Sequence, residues 1–511
     1  MFKRVLIANR GLIQANGVRA VKELGATAVT FFEEEDRDSA GVRNADEAYE
    51  LKPGDGQVRP YLDIAQIVAL AREREIDAVH PGYGFLAQNG TFARELESHG
   101  IILIAPRAKG AHALSNKAVV KEAAGKAGLP VIPGSAPCAD DEALLAAARG
   151  LEFPLMVKPV HGFGGIGITR VENEKQLRAA FQNIKAASTK FLLNSPEAYL
   201  ERDFSGARHV EFPILRDESG RTIVFPEMDC SLQRRFQKLL VETPSPDFDA
   251  DMRARLMSEI RVLCERLELF GFASVEFLVR DGEACFLEIN GYIQPSHTAT
   301  TLLTGVDLLK EQIRLHAGER LSPPVEEAHA QRRHVIASYL VAEDPLDNFA
   351  PSPGQVDRLY LPFGEEVFMQ TSIFSGASIS PFYDPMVAKL LVRGQSRDEA
   401  LLKLEIALEE FFVEGVKTNI PLMRAVLKSE AFRACEVTPG FISRAEDRQA
   451  LIDTLKSDKD HELAALVAAL SLHRDGDTLK RMEAVVAEQG EQSVLSAATR
   501  WLRPRKPRRP L

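Results

Sequence analysis

Residues 274–298 read SVEFLVRDGEACFLEINGYIQPSHT and place two glutamates and an asparagine on a predicted β-hairpin. The arms are short and rich in Val, Phe and Leu, and an Asp-Gly pair supplies the turn. With a three-residue loop over 281–283, Glu276 and Glu288 stand directly opposite each other, and Asn290 lies on the same face. Adjacent carboxylates repel unless a cation lies between them, and oxygen ligands suit Mg²⁺ that carries nucleotide phosphates. Two solvated strand glutamates are the alternative interpretation.

The composition is that of an ordinary protein of several domains, with 511 residues, 45% hydrophobic and 27% charged. No apolar stretch approaches the length of a membrane span. The amino terminus enters a strand pattern at once, so we expect no secretory leader, and five cysteines without paired spacing suit a reducing compartment. A net charge of −10 argues against nucleic acid as the main partner. The sequence therefore predicts a cytoplasmic protein with neither a membrane nor a nucleic-acid partner.

Short apolar strands alternate with helical patterns over residues 1–114, which predicts a doubly wound parallel sheet of the α/β class. The first strand is not followed by GxGxxG, so a dinucleotide site is disfavoured. The later part of the chain is rich in strands and has α+β character up to a helix at 397–412. A helical extension and a basic, proline-containing arm follow, and the arm is either solvated or a contact for an acidic partner. The predicted domains are residues 1–114, 115–205, 206–330, 331–447 and 448–511.

Residues 153–171, FPLMVKPVHGFGGIGITRV, predict a phosphate-binding loop. An apolar strand brings in Lys158, and the loop after it is rich in glycine, which lets backbone N–H groups turn inward around a phosphate. A glycine-rich hairpin without phosphate is the alternative. The glycines are Gly162, Gly164, Gly165 and Gly167.

A second polar segment, residues 227–245, gathers basic residues near Gln233. A solvated basic helix end is the alternative interpretation of that segment. Glu201 is expected to begin the connection that precedes it. The basic residues are Arg234, Arg235 and Lys238.

Segments along residues 1 to about 445 resemble, in register, the biotin carboxylase subunit of biotin-dependent acetyl-, propionyl- and other acyl-CoA carboxylases, members of the ATP-grasp superfamily. The last 60 or so residues lie outside this resemblance. It implies ATP-dependent carboxylation of protein-bound biotin by bicarbonate through carboxyphosphate. The matching segments are IANRG, DRDS, ADEAYEL, HPGYGFL, SNKAVVK, RHVEF, MDCSLQRRFQK, EFL, FLEIN, IQPSHT, AEDP, PSPGQ, FYDPMVAKL and GVKTN.

The resemblance implies roles for residues at matching positions. Glu276 and Glu288 match metal ligands, and Asn290 lies beside them on the hairpin; Lys238 and Gln294 match part of the bicarbonate site. The nucleotide-site matches are Lys117, Lys158 with the glycines of its loop, Glu201, His209 and Gln233. The implied cofactors are ATP with Mg²⁺, and biotin on a separate carrier, because the chain has no Met-Lys-Met segment of the biotin-bearing type. The implied partners are a biotin carboxyl carrier protein, carboxyltransferase subunits, and a second biotin carboxylase subunit, identical or different.

The differences between this sequence and the family pattern are concentrated at positions that have catalytic roles in the family. Tyr292 and Tyr339 stand where the family has arginines, and Ser296 stands where it has the glutamate thought to act as a base on bicarbonate. Loss of one electrostatic donor costs roughly 10²–10³ in rate, and loss of a base costs about 10²–10⁴. Further departures are Leu12, Asn16, His161, Phe163, Ile166, Phe236, Pro295 and Thr301.

These departures favour a structural or regulatory subunit with little carboxylase activity, which could still bind nucleotide. An active biotin carboxylase with compensating residues is the second hypothesis. An ATP-grasp ligase that acts on another acid, through a pocket reshaped by Tyr292 and Tyr339, is the third.

Overall fold

The computed structural model describes most of the chain up to residue 455. The described residues are 1–53, 59–106, 114, 116–160, 167–190, 197–321, 333–444 and 446–455. Contacts divide the chain into two units, Met1–Ser443 and Arg444–Leu511. Of the second unit, residues 446–455 are helical, and the rest of the predicted helical extension and the basic arm lie outside the described residues.

The amino-terminal region contains the predicted doubly wound sheet. Its five strands are all parallel and lie in the order third, second, first, fourth, fifth. Val5 and Ile7 pack into the core on one side of the sheet while Leu6 packs into the core on the other. The strands are Arg4–Ile7, Thr27–Phe32, Glu47–Glu50, Ala78–His80 and Ile102–Leu103; the helices are Gly11–Glu23, Ala40–Asn44, Ile64–Glu73 and Gly90–Ser98, with 3₁₀ turns at Glu34–Asp36 and Pro60–Leu62.

The strand Glu47–Glu50 was not predicted from the sequence. It lies at one edge of the sheet, and its side chains alternate between half-buried and exposed. It therefore lacks the continuous apolar run that identifies the buried strands of a parallel sheet.

The second region is a small three-stranded antiparallel sheet with the strand Leu155–Pro159 at its centre. The helix that leads into it begins at Lys117, because the Asn116 side chain accepts hydrogen bonds from the amides of Ala118 and Val119 and so caps its first turn. The outer strands are Thr169–Val171 and Ala198–Arg202; the helices are Lys117–Lys126, Asp141–Ala148 and Glu174–Lys190.

A nine-stranded sheet dominates residues 206–444 and crosses the boundary predicted near residue 330. Its path runs through Glu283–Asn290, Gly271–Arg280, Arg208–Arg216, Met228–Asp229, Leu240–Thr243, His334–Val341, Met386–Gly394 and Val367–Thr371, and Thr222–Val224 pairs with Arg208–Arg216. Helices flank it at Ala250–Arg266, His297–Thr304, Leu308–His316, Arg397–Glu410, Ile420–Lys428 and Glu430–Arg433, with a 3₁₀ turn at Phe441–Ser443. Short strand pairs join Gln233–Arg234 to Gln237–Lys238, Glu343–Asp344 to Ala350–Pro351, Gly354–Gln355 to Ser378–Ile379, and Arg358–Tyr360 to Phe412–Glu414.

The hairpin at 271–290 has a shorter turn than predicted. Arg280 pairs with Glu283, so the loop has two residues and the three-residue loop was wrong. Both loop residues have positive φ, 52° at Asp281 and 77° at Gly282, as a tight Asp-Gly hairpin turn requires. A register shift next to Glu276 then adds one residue to the second arm. The shorter loop and the extra residue in the second arm offset each other, so Glu276 still pairs with Glu288 as predicted.

Candidate functional site

The carboxylates of the hairpin face each other as predicted. Glu276 and Glu288 are direct cross-strand partners. The Asn290 amide lies between them, with its nitrogen 3.2 Å from one Glu276 oxygen and 3.5 Å from one Glu288 oxygen. The Lys117 ammonium lies 3.5 Å from the other Glu288 oxygen. Two carboxylates and an amide therefore converge on one place, and these are donors that suit Mg²⁺.

Across the described residues, the hairpin included, no group of three or more His, Cys, Asp and Glu side chains is arranged to hold a metal ion. A cation at the hairpin would consequently have few protein ligands. Mg²⁺ characteristically binds through one or two carboxylates and takes its remaining ligands from water and from substrate phosphates. The hairpin fits that pattern.

Glu276 is the centre of a buried polar network, with 4% of its surface exposed. One of its oxygens accepts a hydrogen bond from His209 Nε2 at 2.8 Å. The other accepts from Gln294 Nε2 at 3.0 Å and from Lys238 Nζ at 3.1 Å. Burial disfavours the charged carboxylate, but the Lys238 ammonium and the His209 ring together hold the pKa of Glu276 well below its ordinary value.

Lys238 joins this network to a second buried carboxylate, Glu211. Its ammonium forms an ion pair with Glu211 and donates to Gln294 Oε1 at 3.0 Å. The Ser296 hydroxyl lies 3.2 and 3.4 Å from the two Glu211 oxygens and donates to them. Although burial disfavours the ammonium, the carboxylates of Glu211 and Glu276 raise the pKa of Lys238 well above its ordinary value. Lys238 is thus a fixed positive charge between two carboxylates.

Glu201 lies within the strand Ala198–Arg202 and pairs across the sheet with Met156, so the expectation that it begins a connection was wrong. It is buried and accepts hydrogen bonds from two lysines, Lys158 and Lys121, the latter at 2.6 Å. Burial disfavours its charged form, yet the two ammonium groups lower the pKa of the Glu201 carboxyl. The arrangement carries one net positive charge beside the predicted phosphate loop.

Gln233 belongs to the same constellation as His209. Its amide nitrogen contacts His209 Nδ1 and donates to the Cys230 carbonyl at 2.6 Å. The surrounding segment forms two short strands, Gln233–Arg234 and Gln237–Lys238, so the helix-end interpretation of this segment was wrong. Gln233 and Lys238 pair across these two strands, and of the two Lys238 contacts the hairpin, at Glu276.

Tyr292 and Tyr339, which stand where the family has arginines, are neutral groups in buried surroundings. Tyr339 lies on the strand His334–Val341 with 2% of its surface exposed, and its hydroxyl has no hydrogen-bond partner within the described residues. Tyr292 is partly buried. Burial raises the pKa of both hydroxyls. Over the described ranges, the hydrogen-bond and ion-pair partners of Glu211 and Glu276 include no arginine.

Most of the predicted phosphate loop lies outside the described residues, including Gly164 and Gly165. Gly167 is described and has a φ of 81°. A side chain at this position would be strained, and its Cβ would lie 3.3 Å from Ile184. The departing positions His161, Phe163 and Ile166 also lie outside the described residues.

Two side chains of the site were missed by the sequence analysis, Glu211 and Lys121. Glu211 lies two residues after His209 on one strand, so the two side chains share a face. Lys121 lies one helical turn after Lys117, at the spacing that places both on one side of a helix. The sequence contained both signals, but neither residue has a partner nearby in the chain.

Comparison with known families decides the assignment. Residues 1–110 match the N-terminal domain of biotin carboxylase, residues 116–323 match the ATP binding domain of the carbamoyl-phosphate synthase L chain, and residues 339–444 match the biotin carboxylase C-terminal domain. The chain belongs to the biotin carboxylase family. The resemblance inferred from the motifs is confirmed, and so is the fold.

Two curated relatives and one solved structure illustrate the likeness. A pyruvate carboxylase subunit of Methanothermobacter thermautotrophicus is 36% identical over 500 residues, covering 98% of each chain. The 2-oxoglutarate carboxylase small subunit of Hydrogenobacter thermophilus is 35% identical over 472 residues, covering 92% of this chain and 98% of the relative. A crystal structure of the biotin carboxylase domain dimer of that organism's 2-oxoglutarate carboxylase, with MgADP, ADP and bicarbonate, has a TM-score of 0.83 at 35% identity and covers 88% and 99% of the two chains.

The match to the pyruvate carboxylase subunit extends beyond the family motifs. Because it covers 98% of this chain, it includes most of the residues after 445. The biotin carboxylase family models end at residue 444, as the motifs implied, so the likeness of the carboxyl-terminal extension is to this pyruvate carboxylase subunit. None of the described helices is long and apolar enough to cross a membrane.

Proposed function

We propose that this chain is a biotin carboxylase subunit that retains its nucleotide and metal site but has lost most of its bicarbonate-activating chemistry. Its main role would then be structural or regulatory, within a biotin-dependent carboxylase complex. The observation that carries the proposal is Tyr339, a buried neutral hydroxyl without a partner among the described residues, at a position where the family resemblance implies an arginine.

The nucleotide half of the site supports retained MgATP binding. Glu276, Glu288 and Asn290 would hold Mg²⁺, which when bound neutralises charge on the nucleotide phosphates. Lys117 contributes positive charge at Glu288, and Lys158 contributes positive charge at Glu201. The solved 2-oxoglutarate carboxylase domain of similar fold binds MgADP. This half of the site has the charges that its proposed ligand requires.

The bicarbonate half of the site has a deficit of positive charge. Tyr292 and Tyr339 each offer one neutral hydrogen bond, which replaces neither the charge nor the forked geometry of a guanidinium. Lys238, which the family resemblance assigns to the bicarbonate site, is already shared by Glu211 and Glu276. Each missing donor costs about 10²–10³ in rate, so even strongly non-additive losses leave the carboxylation step at least roughly 10³-fold slower.

An active carboxylase is the second candidate, and the contact between Ser296 and Glu211 favours it. Glu211 provides a buried carboxylate next to the position of the missing base. The proton of bicarbonate would pass to the Ser296 oxygen while the Ser296 hydroxyl proton passes to Glu211, which leaves the bicarbonate oxygen free to form a bond with the terminal phosphorus of ATP as ADP departs. Bicarbonate-dependent ADP release that Glu211→Gln abolishes would favour this candidate over the first.

For the assembly, we propose a separate biotin carrier and a carboxyltransferase that acts on a 2-oxo acid. The carboxyl-terminal unit supports this choice over an acyl-CoA, because the relatives that match past residue 447 include pyruvate and 2-oxoglutarate carboxylase subunits. The solved dimer of the 2-oxoglutarate carboxylase domain supports pairing of this chain with a second biotin carboxylase subunit. Affinity purification of the complex, followed by labelled-bicarbonate fixation with pyruvate, 2-oxoglutarate, acetyl-CoA and propionyl-CoA, tests the assignment.

Calorimetric titration of MgATP into the purified chain tests the retained nucleotide site. We expect saturable binding that Glu288→Gln weakens at least tenfold. Glu283→Gln is the matched control, since this glutamate is exposed at the tip of the same hairpin and makes no contact with the site. Absence of binding by the unaltered chain would contradict the proposal.

A further inference from the structure

The FYDPMVAKL segment contains a buried lysine, Lys389, that lies outside the proposed nucleotide, metal and bicarbonate sites. Lys389 lies on the strand Met386–Gly394 and has no exposed surface. It pairs across the sheet with Tyr339, so both side chains lie on the same face. No carboxylate of the described residues lies within ion-pair distance of it, and burial alone lowers its pKa to about 7. A buried amine of this kind is uncommon unless its position has a use.

The Lys389 amine contacts the segment that connects the hairpin to the next helix. Its Nζ donates to the Pro295 carbonyl at 2.9 Å and lies 5.9 Å from the centre of the Tyr83 ring. The Thr298 hydroxyl donates to the same carbonyl at the longer distance of 3.3 Å. Pro295 separates Gln294 from Ser296. The lysine therefore holds the backbone between two polar side chains of the site.

Those two side chains act on opposite sides of the Lys238 ammonium. Gln294 accepts from Lys238 and donates to Glu276, whereas Ser296 donates to Glu211. A small rotation of the backbone between them would break one set of contacts or the other. Proline supplies no N–H to anchor this turn, so its carbonyl is the backbone group at that residue which can be held.

We propose that Lys389 is a positioning residue, which holds the Pro295 carbonyl and so fixes Gln294 and Ser296 around Lys238. The importance of this contact for catalysis rests on the proposed bicarbonate site. Its effect on the backbone at Pro295 is independent of that proposal. The Lys389 amine contacts the backbone at Pro295 and is not proposed to contact the nucleotide, the metal ion or bicarbonate.

Hydrogen exchange of the free protein tests the positioning directly. The reporter amides are those of His297, bonded to the Gln294 carbonyl, and Ala299, bonded to the Ser296 carbonyl. In Lys389→Met we expect both to exchange about tenfold faster, as loss of one hydrogen bond to a carbonyl permits. The melting temperature at pH 7 should stay level or rise, because the substitution removes a buried amine that has no carboxylate partner among the described residues. A merely structural lysine would instead lower the melting temperature and speed exchange along the whole strand.

Lys403→Met is the matched control, because Lys403 also donates to a backbone carbonyl, that of Arg393 at 3.0 Å, near the other end of the strand that carries Lys389. Unchanged exchange at the two reporter amides in Lys389→Met would overturn the proposal. If that variant does not fold, Lys389→Gln, which keeps a neutral N–H donor of shorter reach, is measured with the same criteria.

Calorimetry with MgATP separates this proposal from the functional one. We expect the dissociation constant for MgATP to differ by less than about twofold between Lys389→Met and the unaltered chain. The bicarbonate concentration for half-maximal ADP release should rise about tenfold in the assembled complex, whatever the maximal rate. If the unaltered chain does not bind MgATP, the proposed function is wrong, but the hydrogen-exchange test of Lys389 still stands. If Lys389→Met leaves the bicarbonate dependence unchanged, the positioning role is wrong.

Discussion

Replacing Lys238 by methionine removes the one cation shared by two buried carboxylates. Glu211 has no exposed surface and Glu276 has 4%, and both form ion pairs with the Lys238 ammonium. Removing one partner from a buried ion pair costs about 3–5 kcal/mol because it leaves an uncompensated charge. At about 2–4 °C per kcal/mol, we expect the melting temperature of Lys238→Met to fall by roughly 10 °C.

The pH dependence of this loss distinguishes charge from packing. The folded-state pKa of Glu276 is lowered in the unaltered chain, so its contribution to stability is present above its unfolded value and is lost as the pH falls through the folded value. Without Lys238, the two carboxylates must share a proton or repel each other. The difference in melting temperature between Lys238→Met and the unaltered chain should therefore be largest near pH 8 and should shrink toward pH 5.

Scanning calorimetry at several pH values, with the double variant Lys238→Met/Glu211→Gln, completes the test. Removal of one carboxylate should restore about half or more of the lost stability at pH 8. Lys403→Met, at a lysine paired with Glu399 on a helix, should change the melting temperature by less than about 2 °C, as a partly exposed pair contributes little. A loss in Lys238→Met that is independent of pH and is not relieved by Glu211→Gln would refute the electrostatic reasoning.

Two further variants test the neighbouring strands. The pKa of Lys389 is about 7 in the folded chain and near 10.4 in the unfolded chain, so the unaltered chain gains stability as the pH rises between those values. Measured by urea unfolding, Lys389→Met should be more stable than the unaltered chain by up to about 4 kcal/mol at or below pH 7. This difference should vanish near pH 10. The facing groups His297, with a pKa of about 3, and Tyr83, with a raised pKa, stay neutral across that range. Tyr339→Phe should leave the free energy of unfolding and the MgATP affinity within about 1 kcal/mol, because the hydroxyl has no partner among the described residues, and a marked loss of either would show that the hydroxyl is used.

The sequence predicted the local features of the site well. Alternation along two strands placed Glu276 and Glu288 opposite each other, although the assumed turn was one residue too long. The structure has a shorter turn and a compensating register shift, so the pairing was right while the loop was wrong. A β-bulge leaves no mark in a pattern of apolar residues, since the extra residue is itself a leucine, Leu287.

The sequence did not predict contacts that the fold makes between distant parts of the chain. Glu211 contacts Lys238 and Ser296, which are 27 and 85 residues away. Likewise Glu201 was expected to begin a connection, yet it lies within a strand, where two lysines donate to its buried carboxylate. Ion pairs that neutralise buried charges depend on the tertiary arrangement, which periodicity alone does not supply.

The rate of carboxybiotin formation shows whether this chain still activates bicarbonate. The measurement follows transfer of labelled bicarbonate to the biotin carrier, with saturating MgATP, in the assembled complex. It is made for the unaltered chain and for the triple variant Tyr292→Arg/Ser296→Glu/Tyr339→Arg. We predict a rate for the unaltered chain at least about 10³-fold below that of an active biotin carboxylase assayed alongside, and a rise in the triple variant. A rate for the unaltered chain equal to that of the active enzyme would contradict the account.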